Sequence, residues 1–237
     1  MRVSRGVERR KELSYWRDTL RATGRYDGPI PQEGMTAVPN RKLTPAEYLA
    51  IEKKATFKSE FFNGEMFPLH RDAPVGMAGA SRPHNTAVMN LGGEIHARLK
   101  GGPCRPYTQD QRVLVDRTGL YTYPDLLIVC GQVETDPIDD DTITNPRVVV
   151  EVLSPSTERY DRTTKFRHYQ QLASVQEYVL VSQSEPLCER FVRQADETWG
   201  YTSFVGLEAV LALTSVPVQV PLADIYAGVE FTAPPPV

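Results

Sequence analysis

The stretch VVVEVLSPSTE, residues 148–158, sets one carboxylate, Glu151, among valines and a leucine. A β-branched apolar run of this kind predicts a strand buried on both faces. An unpaired charge there would cost several kcal/mol or lose its ionisation, so something must compensate Glu151. Three compensators are open from sequence: a salt bridge, water at a strand end, or a metal shared with other carboxylates.

Working outward, the strand is followed by SPSTERYDRTTKFRHYQQLASV, which contains no glycine and has an interrupted polar and apolar rhythm. This predicts a helix with cap candidates Ser156, Thr157 and Asp161, and QEYVLVS after it predicts another buried strand. Upstream, residues 105–116 and 120–130 read as two strands joined at Asp116-Arg117-Thr118-Gly119. Before them, PHNTAVMNLGGEIHARLK reads as a helix opened by Pro83, with Val88, Leu91, Ile95 and Leu99 on one apolar stripe and Gly101-Gly102-Pro103 ending it. The order over 83–182 is α-β-β-β-α-β. Downstream, LCERFVRQ and YTSFVG predict a hairpin, and a Pro-punctuated tail ends near Phe231.

The leading part has strong local signals. LTPAEY places Thr44 as N-cap, Pro45 at the first helical position, Glu47 at the capping-box position, and Leu43 with Tyr48 as a staple. The helix should run to about Lys54. In FKSEFFNGEMFPL, Asn63-Gly64 is the two-residue turn that hairpins prefer, with Glu60 and Glu65 on its arms. Residues 1–34 change character: Arg-rich, then Gly/Pro-rich. They read as a loosely attached extension, a solvated segment or a nucleic-acid arm, ahead of a single domain over 35–237.

At 237 residues, with 41% hydrophobic and 24% charged, the chain is long enough for one large domain with a real core. No apolar run approaches a bilayer span and no h-region precedes a cleavage site, so no membrane partner and a cytoplasmic location are expected. The net charge is −3, but residues 1–34 hold eight Arg/Lys against five Asp/Glu, leaving 19 against 25 for the rest. That balance argues against a strong nonspecific nucleic-acid clamp and leaves room for a local basic groove. Cys104, Cys130 and Cys188 are odd in number and far apart, so isolated thiols are expected rather than a disulfide or zinc site. Among His70, His84, His96 and His168 no pair has helical zinc spacing, which favours oxygen ligands for any metal.

The chemistry-bearing residues lie in the middle strands and the following helix. If the strands carrying Asp125 (YTYPDLLIVC) and Glu151 are antiparallel neighbours, their carboxylates can converge, and two clustered carboxylates repel unless a cation lies between them. Asp125, Glu151 and the Val152 carbonyl make an oxygen set suited to Mg²⁺. Asp161, Lys165 and Tyr169 share a helix face at i, i+4, i+8, so Lys165 can orient water or stabilise a phosphorane-like transition state. The alternatives are structural: Asp125 begins or bends a strand, Glu151 pairs with an Arg such as Arg147, and Asp161–Lys165 is an ordinary helical pair worth about 0.3–0.5 kcal/mol. His84 could contact a phosphate or serve as a capping or part-buried histidine. Glu60 reads as a cross-strand partner or a further site carboxylate, and Tyr123 and Tyr169 as packing residues with a bonded hydroxyl.

YPDLLIV, then VVVEVLSPSTERYDRTTKFRHY, then EYVLV, resembles the Uma-two family of restriction-endonuclease-like proteins in the PD-(D/E)XK nuclease superfamily. The similarity covers about residues 36–232 and includes LTPAEYLA, EFFNGE and HNTAVMNLGGEIHARL. The resemblance implies an α/β fold, a central mixed β-sheet flanked by helices with an N-terminal helix and hairpin, and an Mg-dependent (or Mn-dependent) endonuclease acting on DNA. In this reading Asp125 and Glu151 bind metal. The superfamily's lysine two residues after the glutamate is replaced by Leu153, which implies a migrated lysine, Lys165. Relatives of restriction enzymes commonly dimerise, so a homodimer is a candidate state. The competing reading is a noncatalytic nucleic-acid-binding or assembly module that keeps the fold.

Overall fold

In a computed structural model of the protein the described residues are 42–69 and 80–231. They belong to one compact unit, Arg41–Val237. The extension expected over 1–34 lies outside them.

Helix α1 (Pro45–Glu52) starts as its sequence dictates: Thr44 and Glu47 cap each other's backbone N–H groups, and Pro45 occupies the first turn. Leu43 and Tyr48 are both buried in one cluster. Strands β1 (Ser59–Phe62) and β2 (Glu65–Pro68) close over Asn63 at φ 52° and Gly64 at φ 84°, the left-handed pair that a tight hairpin requires. Helix α2 (Arg82–Leu99) is capped by the Ser81 side chain and buries Val88, Leu91, Ile95 and Leu99. Gly92 lets it sit close to the sheet, because an added Cβ would come within 3.2 Å of Leu126.

The two long strands expected next are each broken. Residues 105–116 become β3 (Cys104–Thr108) and β4 (Arg112–Val115), and 120–130 become β5 (Leu120–Thr122) and β6 (Leu126–Cys130). Residues 116–119 form the expected turn, with Gly119 at φ 76°. The outer halves β3 and β6 pair with each other, while β4 and β5 pair in a second sheet. The breaks fall at a turn around Asp110 and at Tyr123-Pro124, where a proline cannot donate to a ladder.

After β7 (Thr135–Asp136) and β8 (Asp139–Ile143) comes β9 (Val148–Leu153), buried at every position. The helical segment 158–169 is α3 (Glu158–Tyr160), a π-helical turn (Asp161–Lys165) and α4 (Phe166–Tyr169). Strands β10 (Glu177–Ser182), β11 (Leu187–Arg193) and β12 (Trp199–Val205) complete the main sheet, whose order is β12-β11-β10-β9-β6-β3. Its β9–β10 pair is parallel and β6–β9 antiparallel, so the sheet is mixed. The second sheet runs β2-β1-β5-β4-β8-β7. A short hairpin, β13 (Val210–Ala212) with β14 (Gln219–Pro221), and helix α5 (Leu222–Ile225) close the chain.

Strand alternation sorts β9 between two cores. Val148, Val150 and Val152 pack with α2 and the C-terminal hairpin. Val149 and Leu153 face α4, β4 and β5. Glu151, by period two, points to the second side. Tyr169, Tyr178 and Leu180 line that same side, so the carboxylate is surrounded by α4 and by the second sheet rather than by solvent.

The cysteine expectation is corrected. Cys104 and Cys130 are cross-strand partners of β3 and β6 and form a disulfide; Cys188 is free and buried. Residues 26 apart in sequence are brought together by sheet register, which sequence spacing does not display. No helix among the described residues is long and apolar enough to cross a membrane.

Candidate active site

The compensator of Glu151 is Lys165. Its Nζ lies 2.8 Å from Glu151 Oε1, with both side chains almost wholly buried. The same Nζ is 3.8 Å from Glu60 Oε1 and 3.8 Å from Asp161 Oδ1, and it donates to the Tyr123 carbonyl at 3.3 Å. One lysine thus faces three carboxylates. Arg147, the alternative partner from sequence, donates instead to the Ser215 carbonyl at 3.0 Å and does not serve Glu151.

The π-turn is what makes this possible. A wider turn changes the angular spacing of side chains, and Asp161, Thr164 and Lys165 are all buried within it. Tyr178 OH donates to the Asp161 carbonyl at 2.9 Å, which anchors the turn to β10. Tyr169, one helical turn after Lys165, donates to Glu151 Oε1 at 3.5 Å. Glu60 arrives from β1, where Thr122 Oγ1 donates to Oε1 and Tyr160 OH donates to Oε2 at 3.0 Å.

Asp125 sits in the turn before β6 rather than within a strand. Its Oδ2 accepts the Val152 N–H at 2.8 Å and lies 3.3 Å from His84 Nε2. The carboxylate is thereby placed beside the end of β9, next to Glu151, as antiparallel pairing of β6 and β9 requires. A strand residue sends its N–H and C=O to the same edge, so the Val152 carbonyl also faces the Asp125 side. His84 belongs to the first turn of α2 and turns Nε2 toward Asp125, while its Nδ1 is buried without a hydrogen-bond partner.

Burial and charge act differently on these groups. Burial pushes the Glu151 carboxyl well up, opposed by Lys165. Burial also raises Asp161, to about 6. Asp125 goes the other way: burial is outweighed by the His84 hydrogen bond and charge, with Lys165 and the Val152 N–H adding to it. Burial disfavours the Lys165 cation, but Glu151, Tyr169, Asp161 and Glu60 overcome it, and the amine stays charged. Three carboxyl groups thus share one ammonium in a dry place, where burial favours the protonated form of Glu151 and Asp161.

The residues singled out in sequence are therefore assembled together: Asp125, Glu151 and Lys165, with Glu60, His84, Asp161 and Tyr169 around them. Two residues were missed, Thr122 and Tyr160, which donate to Glu60, and Tyr123 was read for its ring and hydroxyl whereas its carbonyl accepts from the lysine. Thr122 was detectable as a polar residue at an inward position of a short apolar strand. Tyr160 had no distinguishing spacing.

A family profile described as "Putative restriction endonuclease", Uma2, matches residues 45–223. The chain belongs to the Uma2 family. Two uncharacterized proteins of Synechocystis are similar to it. One is 33% identical over 198 residues, covering 82% of this chain and 97% of its own length. The other is 31% identical over 175 residues, covering 74% and 94%. A crystal structure from Anabaena variabilis, of "a putative nuclease belonging to DUF820", superposes with a TM-score of 0.61 at 15% identity, over 78% of this chain and 97% of that one. That likeness is one of fold, and it agrees with the restriction-endonuclease-like α/β architecture. Membership of Uma2 supports a coarse function for the chain, that of a nuclease.

Proposed function

We propose that this Uma2 protein is a Mg²⁺- or Mn²⁺-dependent endonuclease that hydrolyses phosphodiester bonds in DNA, in the cytoplasm. One observation carries the reading: Lys165 Nζ, 2.8 Å from Glu151 Oε1, fills from a helix the role left vacant at Leu153, on the strand end that Asp125 adjoins. Leu153 shares the face of Glu151 and is buried among apolar side chains, so an ammonium at that position would have to be desolvated there.

The donor set suits a hard cation. Among the described residues no group of three His, Cys, Asp or Glu side chains is placed to hold a metal. Mg²⁺ typically takes one or two carboxylates, keeps several waters and uses substrate phosphate oxygens, which two acids and a carbonyl accommodate. Asp125, Glu151 and the Val152 carbonyl would hold it. Bound there, the ion would supply a water of lowered pKa and neutralise phosphate charge.

The chain's own residues do the rest. His84 and the Val152 N–H fix Asp125 in its ionised form. Tyr169 and Lys165 fix the orientation of Glu151. Lys165, held cationic by its neighbours, can turn a proton of its ammonium toward the attacking water or toward charge developing on the phosphate oxygens. Glu60 and Asp161 keep that ammonium charged and set its direction.

The test is cleavage of plasmid and single-stranded DNA by the purified protein, with Mg²⁺ or Mn²⁺ and with chelator, beside Glu151→Ala and Lys165→Ala. Metal-dependent cutting lost in both variants is expected. Full activity in Glu151→Ala overturns the reading. A second reading, a noncatalytic binding or assembly module, is favoured by the fact that Lys165 and His84 already give Glu151 and Asp125 partners within the chain. It predicts no cutting and no effect of metal on stability. A homodimer, common among restriction enzymes, is the assembly to look for in either case.

A further inference from the structure

A cavity of about 160 Å³ opens where the parallel strands β9 and β10 end, between the start of the helical segment 158–169 and the loop after β10. The carboxyl ends of neighbouring parallel strands are a common place for ligands of α/β sheets. It is not the cluster described above. Asp125 lies on the β6 side of β9, whereas this cavity lies on the β10 side, one strand across. Yet the two adjoin: Leu153 in its wall follows Glu151 by two residues, and Arg162 and Glu158 share the helical segment of Asp161 and Lys165.

The lining chemistry selects a class of ligand. The one cation, Arg162, is engaged by Glu158 at 2.8 Å and by Glu189. With Glu158 and Glu185 both in the wall, carboxylates outnumber it, so a phosphate is disfavoured. Gln183 Oε1 accepts from Ser81 Oγ at 2.6 Å, which leaves the amide NH₂ to donate. The wall therefore offers several acceptors and an amide donor around an apolar patch at Leu153. That pattern matches the edge of a heterocycle bearing an exocyclic amine: carboxylates accept from the amino group of cytosine, and glutamine pairs with adenine.

We propose that this cavity is a nucleobase pocket, which takes an unstacked amino-bearing base of the polynucleotide whose backbone lies at Lys165 and Glu151. The proposal rests on the phosphodiesterase reading above and deepens it by naming what the enzyme reads. A base enters only after leaving its stack, which costs least in an unpaired strand, so unpaired or frayed segments carrying cytosine or adenine are the preferred substrates. Thymine, with no exocyclic amine, satisfies the acceptors poorly.

Labelled oligo(dC), oligo(dA) and oligo(dT) are titrated with the full chain in Ca²⁺ and binding is read by fluorescence anisotropy. Wild type is expected to bind oligo(dC) or oligo(dA) about tenfold tighter than oligo(dT), the low end of what one good base contact supplies. Ser184→Trp fills the mouth and Glu185→Ala removes an acceptor; both positions are exposed, so the fold is retained. Each variant should bring the ratio toward one while leaving oligo(dT) affinity in place. Equal binding of the three oligomers by wild type, or a ratio that survives both variants, overturns the pocket. Plasmid cutting in Mg²⁺ by the same proteins separates the two failures. Cutting without base preference leaves the nuclease and removes the pocket, whereas neither cutting nor binding removes both.

Discussion

Lys165 is the residue on which the site's charge balance turns. Removing one partner of a buried ion pair leaves the other uncompensated, which typically costs about 3–5 kcal/mol. Lys165→Met leaves Glu151, Asp161 and Glu60 facing one another, so urea unfolding at pH 8 should show a loss of about 3 kcal/mol. The loss should shrink at pH 5, where raised carboxyls such as Asp161, at about 6, take up protons and the repulsion fades. A loss that is the same at both pH values would show that the lysine acts by packing alone. Glu151→Gln is the contrasting change, since an amide oxygen can still accept from Lys165 while Asp161 and Glu60 keep the amine charged. Its stability should stay within about 1 kcal/mol of wild type while cleavage is lost. At this scale much was legible: a lone acid in VVVEVL demands a partner, and Asp161-x-x-x-Lys165-x-x-x-Tyr169 points to one helix face. The identity of the partner was not, because Arg147 is nearer in sequence and only the packing of α4 onto the sheet decides for Lys165.

The helical segment 158–169 carries two groups whose burial acts in opposite senses on stability. Asp161 is raised by burial from 3.8 to about 6, so between those values the folded state binds the proton first, and stability falls as pH rises through the window. His168 is lowered by burial from 6.5 to about 4, so the unfolded state binds the proton first, and stability rises with pH over nearly the same range. Each effect is about 3 kcal/mol, from roughly two units at 1.36 kcal/mol each, and in wild type they largely cancel. Asp161→Asn should therefore gain stability from about pH 4.5 to about pH 6.5 relative to wild type, and His168→Gln should lose it over that interval. Unfolding midpoints that move alike in all three proteins would refute the assignment. A different constraint joins β3 to β6: by loop-closure entropy the Cys104–Cys130 disulfide, spanning 26 residues, contributes about 3.5 kcal/mol. Dithiothreitol should lower the melting temperature of wild type and leave that of Cys104→Ser/Cys130→Ser unchanged. Element existence was readable where a local device announces it, as in the Thr44–Glu47 box or the Asn63-Gly64 turn. The π-turn had no such device, since its width comes from side chains drawn inward to meet β9 and β10.

For the whole molecule, the order α-β-β-β-α-β was legible because each apolar run is bounded by turn residues, and it survives as α2, β3, β6, β9, the segment 158–169 and β10. The second sheet was hidden. β4 and β5 continue the runs of β3 and β6 along the chain, and their separation depends on pairings with β8 and β1, which are remote in sequence. That sheet supplies Glu60 from β1 and Thr122 from β5, so the acidic surroundings of Lys165 emerge only from the assembled fold. The same assembly makes a prediction about ions. Asp125 is held ionised, and a cation beside it would oppose the burial that favours protonated Glu151, so a cation that binds the folded state and not the unfolded chain must stabilise it. At a free Mn²⁺ or Mg²⁺ concentration about one hundred times Kd the gain is about 2.7 kcal/mol. At about 2–4 °C per kcal/mol for a chain of this size, the melting temperature should rise by roughly 5–10 °C. Asp125→Asn keeps an oxygen for the Val152 N–H and should fold, yet show little of that rise. A rise in wild type that vanishes in Asp125→Asn supports a metal site on β6 and β9. If neither protein responds to metal, Lys165 is the whole answer to the charge of Glu151, and the fold is retained as a binding or assembly module.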